Sequence, residues 1–504
     1  MVNTKHAISF TPAEAEKLSR HAKAATQDPS LIGALATVVG AEHVHADFGT
    51  RLQYGRDCLP YAKYLYRSGD LPGTLPALVV RPADTAEAAD VMALLRQQKV
   101  RMIPAGSCSG VLGGAIPLCG EVVVDTSRMD RILTIDEENQ LVTVEAGMNG
   151  GDFEAALNAA GWTAGHYPQS IHVSTVGGWA ACRGSGQASS RYGKIEDIVT
   201  GMVVVVPDGR TLRIGSSARR AVGPSVKDLF IGSEGTLGII TELTMRIWPM
   251  PEMMEDVVVG YRDVASALRA AKRIMQAELR PNIVRVYDPE ETASRTAGLD
   301  FFRKWPVMTF LAFSGKRRLA EVERDLALEI VADEGGELGP SAPMEHWRGT
   351  RYASASASWT EKGYFMDTVE VTLPWSRLIE GYERMSAAVR AISADAHFGA
   401  HWSHVYPDGA CQYMTFRLPP MPDAQALPLH SAIWNGLQEI ALDCDGSISH
   451  HHGVGAFRGK WMAREHGVGL EVIQALKDAL DPGNLVNPGK LGLRPAADAV
   501  VING

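Results

Sequence analysis

A run of three histidines near the C-terminus is the first group of side chains that could do chemistry. His450, His451 and His452 precede a glycine in the segment SHHHGVG. Histidine exchanges protons near neutral pH, so the run could supply proton-transfer or polar-binding groups. Three consecutive side chains point in different directions, and no cysteine or glutamate stands nearby at ligand spacing, so we predict no metal site. A surface run of histidines is the alternative.

Two other polar side chains stand in strand-like segments of the second half of the chain. Tyr413, in DGACQYMTF, could donate or accept a proton beside a reacting carbon if positive charge lowers its pKa from about 10. The alternative is a strand tyrosine packed in the core. Arg285, in NIVRVYD, could hold a carboxylate, a phosphate or developing charge, and its alternative is a surface salt bridge. The residues alone leave these alternatives open.

Three more histidines occur in the segment AHFGAHWSHVYPDG. His397, His401 and His404 are spaced by four and three residues, which would place them on one face of a helix. Gly399 and the following Tyr-Pro-Asp-Gly turn favour a loop or a strand instead. We treat the three histidines as additional pocket candidates.

Glycine and serine are concentrated in three separate loops, at residues 105–114, 177–193 and 232–238. Glycine lets a backbone approach a ligand closely, and free N–H groups in such loops favour anions such as phosphates. Flexible surface loops are the alternative for any one of them. Three such loops within one domain favour a binding role.

Four longer segments carry a resemblance to a known family. They are PAGSCSGVLGG (104–114), PQSIHVSTVGGWAACRGSGQASSRYGKIEDIV (168–199), IGSEGTLGIITELTMRIWP (231–249) and SISHHHGVGAFRGKWM (447–462). Together they resemble the vanillyl-alcohol oxidase/p-cresol methylhydroxylase (PCMH-type) family of flavoproteins. Within it, the motifs are most similar to the alkyldihydroxyacetone-phosphate synthases and the bacterial FAD-linked oxidases grouped with them. The resemblance runs from about residue 77 to about residue 492.

The resemblance implies an α+β fold with bound FAD. A PCMH-type FAD-binding domain of two α/β subdomains would be followed by an antiparallel α+β cap domain for the substrate. FAD would lie between the two subdomains, with its pyrophosphate over the first loop. The positions that match the family's binding segments are Pro104, Ala105, Gly106, Ser107, Cys108, Ser109, Gly110, Gln169, Ser170, Ile171, His172, Val173, Ser174, Thr175, Gly177, Gly178, Cys182, Arg183, Gly184, Ser185, Ser233, Glu234, Gly235, Thr236, Leu237, Gly238 and Ile239.

The first loop departs from the family pattern in two ways. It reads AGSCSG where relatives usually carry a run of glycines, so the family pattern does not determine its detailed conformation. No residue of 104–114 is histidine, which is the usual tethering residue of covalent members. We therefore predict non-covalent FAD, with a tether from the C-terminal domain as the alternative.

The same resemblance assigns roles to the candidate catalytic residues. Tyr413 matches the active-site tyrosine of the ether-lipid synthases, the triplet at 450–452 matches the family's active-site histidines, and Arg285 matches an arginine near the substrate. These matches imply an oxidase or dehydrogenase that transfers a hydride from a small alcohol, hydroxy acid or phenol to flavin N5. Tyr413 or a histidine would take the proton. A synthase-like transferase that uses flavin N5 covalently without net redox is the alternative, and a degenerate flavoprotein scaffold is the third hypothesis.

One difference from the synthases bears on the substrate. Residues 353–358 read ASASAS where the synthases carry an arginine, and the nearest arginines are Arg348 and Arg351. A buried phosphate dianion needs fixed positive partners, because burying it unpaired is very costly. The difference favours a hydroxy acid or an alcohol over a phosphate ester.

Length and composition limit the remaining possibilities. A chain of 504 residues is too long for one core, and we divide it into an N-terminal helical segment (1–70), an FAD-binding domain (71–250), a cap domain (251–440) and a C-terminal segment (441–504). That last segment would complete the active site and pack on the FAD-binding domain. The net charge of -9, without a dense basic cluster, argues against nucleic-acid binding. The apolar runs are too short for a membrane span.

The location and the partners follow from similar arguments. The N-terminus lacks the apolar run of a secretory signal, and the six cysteines form no C-x-x-C pair, so we predict a reducing cytoplasm. The predicted partners are a small-molecule substrate and an electron acceptor, which would be oxygen, a quinone or a cytochrome. A homodimer is a candidate assembly.

Hydrophobic periodicity predicts the elements that must position these groups. In the FAD-binding domain it predicts strands at 77–81, 101–104, 121–125 and 141–146 and a helix at 85–98. In the cap it predicts helices at 264–278, 318–334 and 375–392 and strands at 282–287, 307–313, 368–372 and 412–417. A helix near 471–480 follows, and Thr11 opens an N-terminal helix with a capping-box pattern.

Overall fold

A short helical segment leads into the structure. The computed structural model describes residues 10–21, 28–215, 218–353 and 356–502. The first helices are α1 (Pro12–Leu18), α2 (Pro29–Val39), α3 (Phe48–Tyr54) and α4 (Pro60–Ser68). The Thr11 hydroxyl accepts the amide of Glu14, whose carboxylate accepts the amide of Thr11, so the predicted capping box is confirmed.

The first sheet of the FAD-binding half is mainly parallel. Its strands are β1 (Val44–His45), β2 (Val79–Val80), β3 (Met102–Ala105) and β4 (Val122–Asp125), in the order β1-β2-β4-β3. Strands β2, β4 and β3 are parallel, and helix α5 (Thr85–Gln97) connects β2 to β3. The glycine-rich loop at 106–114 follows the carboxyl end of β3, which is where open α/β sheets bind ligands.

An antiparallel sheet forms the second part of this half. The strands that follow are β5 (Ile132–Asp136), β6 (Leu141–Glu145), β7 (Trp162–Thr163), β8 (Val199–Val205), β9 (Thr211–Ile214), β10 (Ile239–Arg246) and β11 (Trp248–Pro249). The sheet order is β5-β6-β10-β8-β9, and β11 pairs with β7 in a separate ribbon. The helices are α6 (Gly150–Ala159), α7 (Val176–Cys182), α8 (Ser189–Tyr192), α9 (Ile195–Ile198) and α10 (Lys227–Phe230).

A seven-stranded antiparallel sheet dominates the cap. Its strands are β12 (Met253–Tyr261), β13 (Ile283–Tyr287), β14 (Val307–Gly315), β15 (Glu337–Leu338), β16 (Phe365–Pro374), β17 (His397–Val405) and β18 (Gly409–Leu418). The order is β15-β12-β14-β13-β17-β18-β16, so β13, β17 and β18 are neighbours near one end. Their long runs of buried residues show that helices or loops cover both faces.

Eight helices accompany this sheet in the described residues. They are α11 (Val264–Gln276), α12 (Pro289–Arg295), α13 (Phe301–Lys304), α14 (Arg317–Asp333), α15 (Ala342–Thr350), α16 (Ser356–Glu361), α17 (Leu378–Ile392) and α18 (Asp423–Asp443). Helix α11 shows why the sequence predicts them, because buried Leu268, Ala271 and Met275 recur at helical spacing. Helix α18 was not predicted, since Pro428 lies inside it and proline usually interrupts a helix.

The C-terminal segment contacts both halves of the molecule. It contains helices α19 (Met462–His466) and α20 (Val468–Leu480). Ser447 pairs with Thr372 at the edge of the cap sheet, and Val486 pairs with Met102 at the edge of the first sheet. The histidine triplet lies between these two points in the chain. Among the described residues, no helix combines the length and the apolar character needed to cross a membrane.

Candidate active site

The register of the cap sheet places four polar side chains in one row. Tyr413 on β18 lies between Glu370 on β16 and His401 on β17, and His401 lies opposite Tyr287 on β13. Directly paired residues of an antiparallel sheet face the same side. Arg285 stands two residues before Tyr287 and therefore shares that face. The sheet thus brings together Tyr413 and Arg285, which lie 128 positions apart in the chain, and adds His401.

A β-bulge brings a second histidine of β17 to the site. His401 and His404 would face opposite sides of a regular strand, because successive residues alternate. The register between β17 and β18 shifts between Ser403 and Val405, and His404 has a φ of 52°. As a result, the His404 ring lies 4.9 Å from the rings of both His450 and His451. His397 lies at the other end of the strand, 3.9 Å from Glu290, and is not part of this cluster.

A buried carboxylate holds the histidine triplet in place. The side chain of Glu370 accepts the backbone amides of His450 and His452 at 2.5 and 3.2 Å and the Ser449 hydroxyl at 3.0 Å. It also lies 3.6 Å from the His452 ring nitrogen Nδ1. Glu370 on β16 therefore orients the loop by binding the backbone amides of the loop. The three imidazoles remain available for other contacts.

An arginine from the loop itself neutralises this carboxylate. Arg458 is fully buried and donates to Glu370 Oε1 at 2.7 Å, to the Glu370 carbonyl at 2.8 Å and to the Gly453 carbonyl at 3.0 Å. Burial raises the pKa of Glu370, but the charge and hydrogen bond of Arg458, together with His452 and the His450 amide, outweigh it and hold that pKa below its usual range. Glu370 is therefore ionised at neutral pH, and its bonds to Arg458 fix the loop to the cap sheet.

Arg285 lacks an acidic partner in the described part of the chain. Its guanidinium donates to the Tyr287 phenol at 2.8 Å and to His401 Nε2 at 2.7 Å, and neither partner is a carboxylate. Since His401 Nε2 accepts this bond, the His401 proton resides on Nδ1, which is buried without a partner. The surface salt bridge that was the alternative for Arg285 is therefore absent among these residues, and its positive charge remains available to an anion.

Burial sets the protonation states of the other candidates. The pKa of Tyr413 is raised to about 12, because burial and the nearby Glu370 raise it more than the hydrogen bond to Thr368 and the charge of Arg285 lower it. The sequence analysis required a positive charge to lower this pKa. Arg285 has that effect, but it is smaller than the effect of burial, so the phenol is neutral at pH 7. Burial also lowers the pKa of His450, His451 and His452, which makes the imidazoles neutral proton acceptors.

A chain of hydrogen bonds connects the triplet to the FAD-binding half. His451 Nδ1 lies 3.1 Å from His450 Nδ1, and His450 Nε2 lies 3.0 Å from the Tyr406 hydroxyl. That hydroxyl donates to Ser189 Oγ at 3.1 Å, which lies 2.9 Å from His404 Nδ1. The histidines therefore belong to one continuous network rather than to an exposed surface run.

The same histidines also meet the distance criterion for metal ligands. Ligand atoms of His404, His450 and His451 lie within 4.8 Å of one another, as do those of Glu370, Cys411 and His451. The three consecutive residues do not converge, as the sequence argument held, but His404 from β17 completes a group with two of them. This grouping depends on the bulge, and the sequence argument missed it. The absence of a metal remains a prediction.

The three glycine-rich loops meet beside this cluster. A Cβ atom on Gly106 would lie 2.4 Å from Thr175 Oγ1, and one on Gly235 would lie 3.0 Å from Pro104 Cγ. The Glu234 carboxylate accepts the amides of Val454 and Gly455 at 2.6 and 2.7 Å. The loops at 104–114, 175–178 and 233–238 are thus in contact with each other and with the loop that carries the triplet.

The first loop has the donors that a bound phosphate group requires. In the described structure, the backbone amides of Ser107, Cys108, Ser109 and Gly110 donate to no protein acceptor. Cys108 has a φ of 53°, and such a left-handed residue within a turn directs successive amides toward one side. Four free amides at the carboxyl end of a parallel strand fit the pyrophosphate of FAD, so the residues present are compatible with the cofactor.

Some of the other predicted cofactor positions cap a helix, some have buried side chains, and one points to the surface. Thr175 caps helix α7, and its hydroxyl accepts the amide of Gly178, so Gly177 and Gly178 form the first turn. The side chains of Ile171, Leu237 and Ile239 are in the core, so these residues could reach a ligand only through the backbone. Arg183 points to the surface, where it pairs with Glu196, and is not brought to the site.

Other predicted positions contact protein groups. Ser174 accepts the Trp179 indole N–H at 2.8 Å, Ser185 lies 3.2 Å from His404 Nδ1, and Thr236 donates to the Ser233 carbonyl. Cys182 Sγ lies 3.6 Å from the His451 carbonyl, which places it at the junction of the cofactor and histidine loops. The positions Ser170, Val173, Gly184 and Gly238 lie in the same loops.

The segment that lacks the synthase arginine lies only partly within the described chain. Of residues 353–358, Ser354 and Ala355 lie outside the described residues, and Gln169 donates to the Ala353 carbonyl at 3.2 Å. Arg348 is bound to Asp256 and cannot replace the missing cation. Arg351 lies over the Tyr352 ring, 4.7 Å from its centroid, and Tyr352 in turn contacts His172 at 5.0 Å.

Sequence reasoning missed Glu370, Arg458 and Trp347. A signal for the first was present, since Glu370 interrupts the strand pattern in DTVEVTL, and a charged residue in a buried strand needs a partner. Arg458 stands within the quoted C-terminal motif, yet its pairing with a residue 88 positions earlier depends on the tertiary fold. Trp347 lies on α15, 5.8 Å from the Arg285 guanidinium carbon, and no local sequence pattern indicates this proximity.

Two protein-family models match separate parts of the chain. The FAD binding domain matches residues 76–215, and the C-terminal domain of FAD linked oxidases matches residues 250–491. Together they cover the first two glycine-rich loops, the cap sheet and the histidine triplet, while the loop at 232–238 lies between the two matched ranges. The expected resemblance and the expected cofactor, FAD, are thereby confirmed.

Several relatives are similar over most of their length. An FAD-linked oxidoreductase of Escherichia coli strain K12, YgcU, is 30% identical over 92% of this chain and 98% of its own. An alkyldihydroxyacetonephosphate synthase of Dictyostelium discoideum is 29% identical over 82% of this chain and 73% of its own. A probable mitochondrial D-lactate dehydrogenase of Danio rerio is 28% identical over 92% and 91%.

Solved structures share the fold. A structure of alkyldihydroxyacetonephosphate synthase has a TM-score of 0.77 at 25% identity and covers 92% of this chain and 85% of its own. A structure of p-cresol methylhydroxylase with substrate bound has a TM-score of 0.75 at 16% identity, over 96% and 98%. The p-cresol methylhydroxylase structure shows only that the fold is shared, and it thereby confirms the predicted PCMH-type α+β fold class. Together with the identity to the nearly fully covered oxidoreductase, these matches show that the chain belongs to the family of FAD-linked oxidases.

Proposed function

We propose that the protein is an FAD-dependent oxidoreductase, an oxidase or a dehydrogenase, that acts on the CH–OH group of a small alcohol, hydroxy acid or phenolic substrate. The observation that carries this proposal is the pairing of Arg285, a cation without an acidic partner, with a row of neutral proton carriers. Arginine can hold a carboxylate through two parallel hydrogen bonds and so orient a hydroxy acid. Bound FAD supplies a two-electron acceptor for the hydride that leaves the substrate carbon.

The proton from the substrate hydroxyl goes to a histidine of the triplet. Tyr413, with a pKa of about 12, keeps its proton at pH 7 and donates a hydrogen bond. His401 accepts from Arg285 through Nε2 and is therefore not a free base. His451 and His452 remain, with side chains 15% and 18% exposed, and Glu370 beside them favours the charged form of His452. We assign proton acceptance to these two residues and substrate orientation to Tyr413 and Arg285.

The cofactor is proposed to be held without a covalent bond. The free amides of residues 107–110 would bind its pyrophosphate, and the turns at 174–178 and 233–238 would approach it closely. None of the residues 104–114 is histidine, so the usual tether is missing from this loop. His172 is also proposed among the binding positions, and its ring packs on Tyr352.

Acid precipitation of the purified protein is expected to release FAD into the supernatant, because no covalent bond retains it. The protein should be yellow before precipitation, and the absorbance of the supernatant measures the released fraction. Colour that stays with the pellet would contradict non-covalent binding and would direct attention to the C-terminal histidines. A colourless protein that cannot be reconstituted with FAD would contradict the cofactor assignment for this chain.

A transferase of the alkyldihydroxyacetonephosphate synthase type is the second candidate, favoured by the 29% identity to the Dictyostelium enzyme. It requires a pocket for a phosphate, and the segment at 353–358 does not contribute the arginine that the synthases carry there. The oxidoreductase is therefore placed first. A mitochondrial relative described as a probable D-lactate dehydrogenase supports a hydroxy acid as the substrate class.

The two candidates are separated by one pair of experiments. Anaerobic mixing with a panel of alcohols, hydroxy acids and phenols is expected to bleach the flavin absorbance for at least one compound. Incubation with an acyl-dihydroxyacetone phosphate and a fatty alcohol is expected to give neither ether lipid nor released fatty acid. Steady formation of both products without bleaching by any panel member would reverse the order of the candidates.

Several expectations about the context of the enzyme remain proposals. The division into segments at residues 70, 250 and 440, a cytoplasmic location and a homodimer are all in this group. The electron acceptor is proposed to be oxygen, a quinone or a cytochrome.

A further inference from the structure

A second arginine without an acidic partner lies near Arg285. The Arg351 guanidinium lies 4.7 Å from the centroid of the Tyr352 ring, 5.7 Å from that of Tyr167 and 5.8 Å from that of Trp347. No carboxylate of the described residues lies within ion-pair distance of it. Burial raises the pKa of Tyr352, while Arg351 lowers it, so the phenol next to the guanidinium is protonated at neutral pH. Arg351 is thus surrounded by uncharged rings.

One indole links the two arginines. The guanidinium carbons of Arg285 and Arg351 each lie 5.8 Å from the centroid of Trp347. A cation over an aromatic ring gains about 0.5 to 2 kcal/mol, but the ring does not cancel its charge. Two cations held around one indole therefore create a positive potential that a ligand with two negative groups would neutralise.

Arg351 lies at the boundary between the cap and the loop that precedes α7. The positive potential therefore extends to this boundary. Its neighbour Tyr352 packs against His172, and Gln169 donates to the Ala353 carbonyl, so the end of α15 touches the loop that precedes α7. Arg285 lies on the cap sheet, in contact with His401, whose ring stacks on Tyr413 at 4.8 Å. A molecule bound against Tyr413 would therefore lie near Arg285, and the Trp347 ring lies next to both Arg285 and Arg351.

We propose that Arg351 and Trp347, together with Arg285, form a subsite for a second anionic group, so that the preferred ligands are small dicarboxylates. This inference rests on the proposed function, because it extends the substrate class from hydroxy acids to those with a second carboxylate. Arg285 holds the carboxylate next to the reacting carbon, and Arg351 holds the distal one. The Trp347 indole covers the methylene groups between them.

Two separate carboxylates match this arrangement better than one phosphate does. A phosphate dianion needs its positive partners around a single group. Here the two guanidinium groups come from different elements, β13 and the end of α15, and both lie 5.8 Å from the same indole centroid, so each can bind a carboxylate of its own. Arg348, three residues before Arg351, also lies 5.8 Å from Trp347 but is bound to Asp256. It therefore serves as a matched control.

Calorimetric titration of the FAD-bound protein with acetate, glutarate and inorganic phosphate tests the proposal. Glutarate is expected to bind the wild type at least about tenfold more tightly than acetate, which corresponds to one additional charge-assisted contact. Arg351→Gln should abolish that advantage and leave the acetate affinity unchanged. Arg285→Gln should weaken both acids, and Arg348→Gln should weaken neither. Arg351→Lys should retain part of the advantage because it keeps the charge, which excludes a purely structural effect.

Three results would overturn the proposal. Glutarate and acetate could bind the wild type equally or not at all, or Arg351→Gln could leave the glutarate affinity unchanged. Phosphate could also be the anion that binds tightly and depends on Arg351, which would assign the subsite to a phosphate group instead. Since binding heat does not depend on turnover, an enzyme that failed to oxidise any panel compound would disprove the proposed function without affecting this test.

Discussion

The Glu370→Gln variant is expected to lose about 3 to 5 kcal/mol of folding stability, because it leaves a fully buried guanidinium without its anion. Glu370 and Arg458 are both inaccessible to solvent, and the carboxylate also accepts the amides of His450 and His452. A neutral amide retains one acceptor oxygen, but its NH₂ group would face the donors that the second carboxylate oxygen now accepts. The loss should appear in urea unfolding curves of the FAD-bound protein at pH 7.

The pH dependence of the same measurement gives a second check. The pKa of Glu370 is held below its usual value, so its ionisation stabilises the fold above about pH 4.5 and ceases to do so as the pH falls toward the folded-state value. The difference in the free energy of unfolding between the wild type and Glu370→Gln should therefore become smaller at acidic pH.

Glu465→Gln provides the matched control for this variant. Glu465 also accepts a backbone amide of the same loop, that of Ile448 at 3.0 Å, but has no cationic partner among the described residues. The Glu465→Gln substitution should lower the free energy of unfolding only slightly. Equal losses for the two variants would show that the buried ion pair contributes nothing specific.

The elements of the fold could be predicted from the sequence because their signals are local. Helix α11 was expected at 264–278 and is found at Val264–Gln276, since its apolar residues recur at helical spacing. The strand expected at 412–417 lies within Gly409–Leu418. Helix α18 was missed for an equally local reason, namely Pro428 in its first half.

The composition of the site could be predicted only in part. Tyr413, Arg285 and the triplet were singled out by motif, and the structure brings all five side chains together. Glu370 was not singled out, because its role depends on hydrogen bonds and an ion pair with residues of a distant loop. The sheet register that pairs Glu370 with Tyr413 is set by contacts across the cap, and no single strand encodes it.

The role of His404 shows a further limit of sequence reasoning. Spacing alone placed His397, His401 and His404 together only on a helix, and a regular strand would separate His401 from His404. The bulge at Ser403 turns His404 back toward His450 and Ser189. Bulges follow from the pairing of two strands, so the sequence of one strand does not reveal them.

Protonation states were the least accessible property. The sequence argument allowed Tyr413 to act as a base if a cation lowered its pKa, and Arg285 is indeed nearby. Burial and Glu370 nevertheless dominate and raise that pKa. The net effect depends on how much solvent reaches the phenol, which only the folded structure determines.

Replacing Tyr413 by Phe is expected to slow flavin bleaching by the active panel compound by about a hundredfold or more while leaving FAD bound. The phenol stacks on His401 and donates to Thr368 at 3.1 Å, and we expect a substrate oxygen bound beside the triplet to replace Thr368 as the acceptor of this hydrogen bond. Phenylalanine preserves the stacking and removes only the donor. Stopped-flow absorbance under anaerobic conditions measures the rate directly.

Tyr382→Phe is the control for that comparison. Tyr382 is another cap tyrosine whose burial raises its pKa, but its hydroxyl donates to Asp288 at 3.1 Å, away from the triplet. It should leave the bleaching rate unchanged. A Tyr413→Phe rate equal to that of wild type would show that this phenol serves only packing.

The pH profile of the wild-type rate then distinguishes the two kinds of base. Burial lowers the pKa of His452 below 6.5, although Glu370 opposes the shift, so a histidine base stays neutral and active above that pH. The rate should be constant from about pH 6.5 upward and should fall as acid protonates the imidazole. If Tyr413 were the base, the rate would instead rise through the alkaline range toward pH 12, because only the phenolate would accept the proton. Tyr413→Phe should lower the plateau without moving the acidic limb, since the group that titrates there is still present.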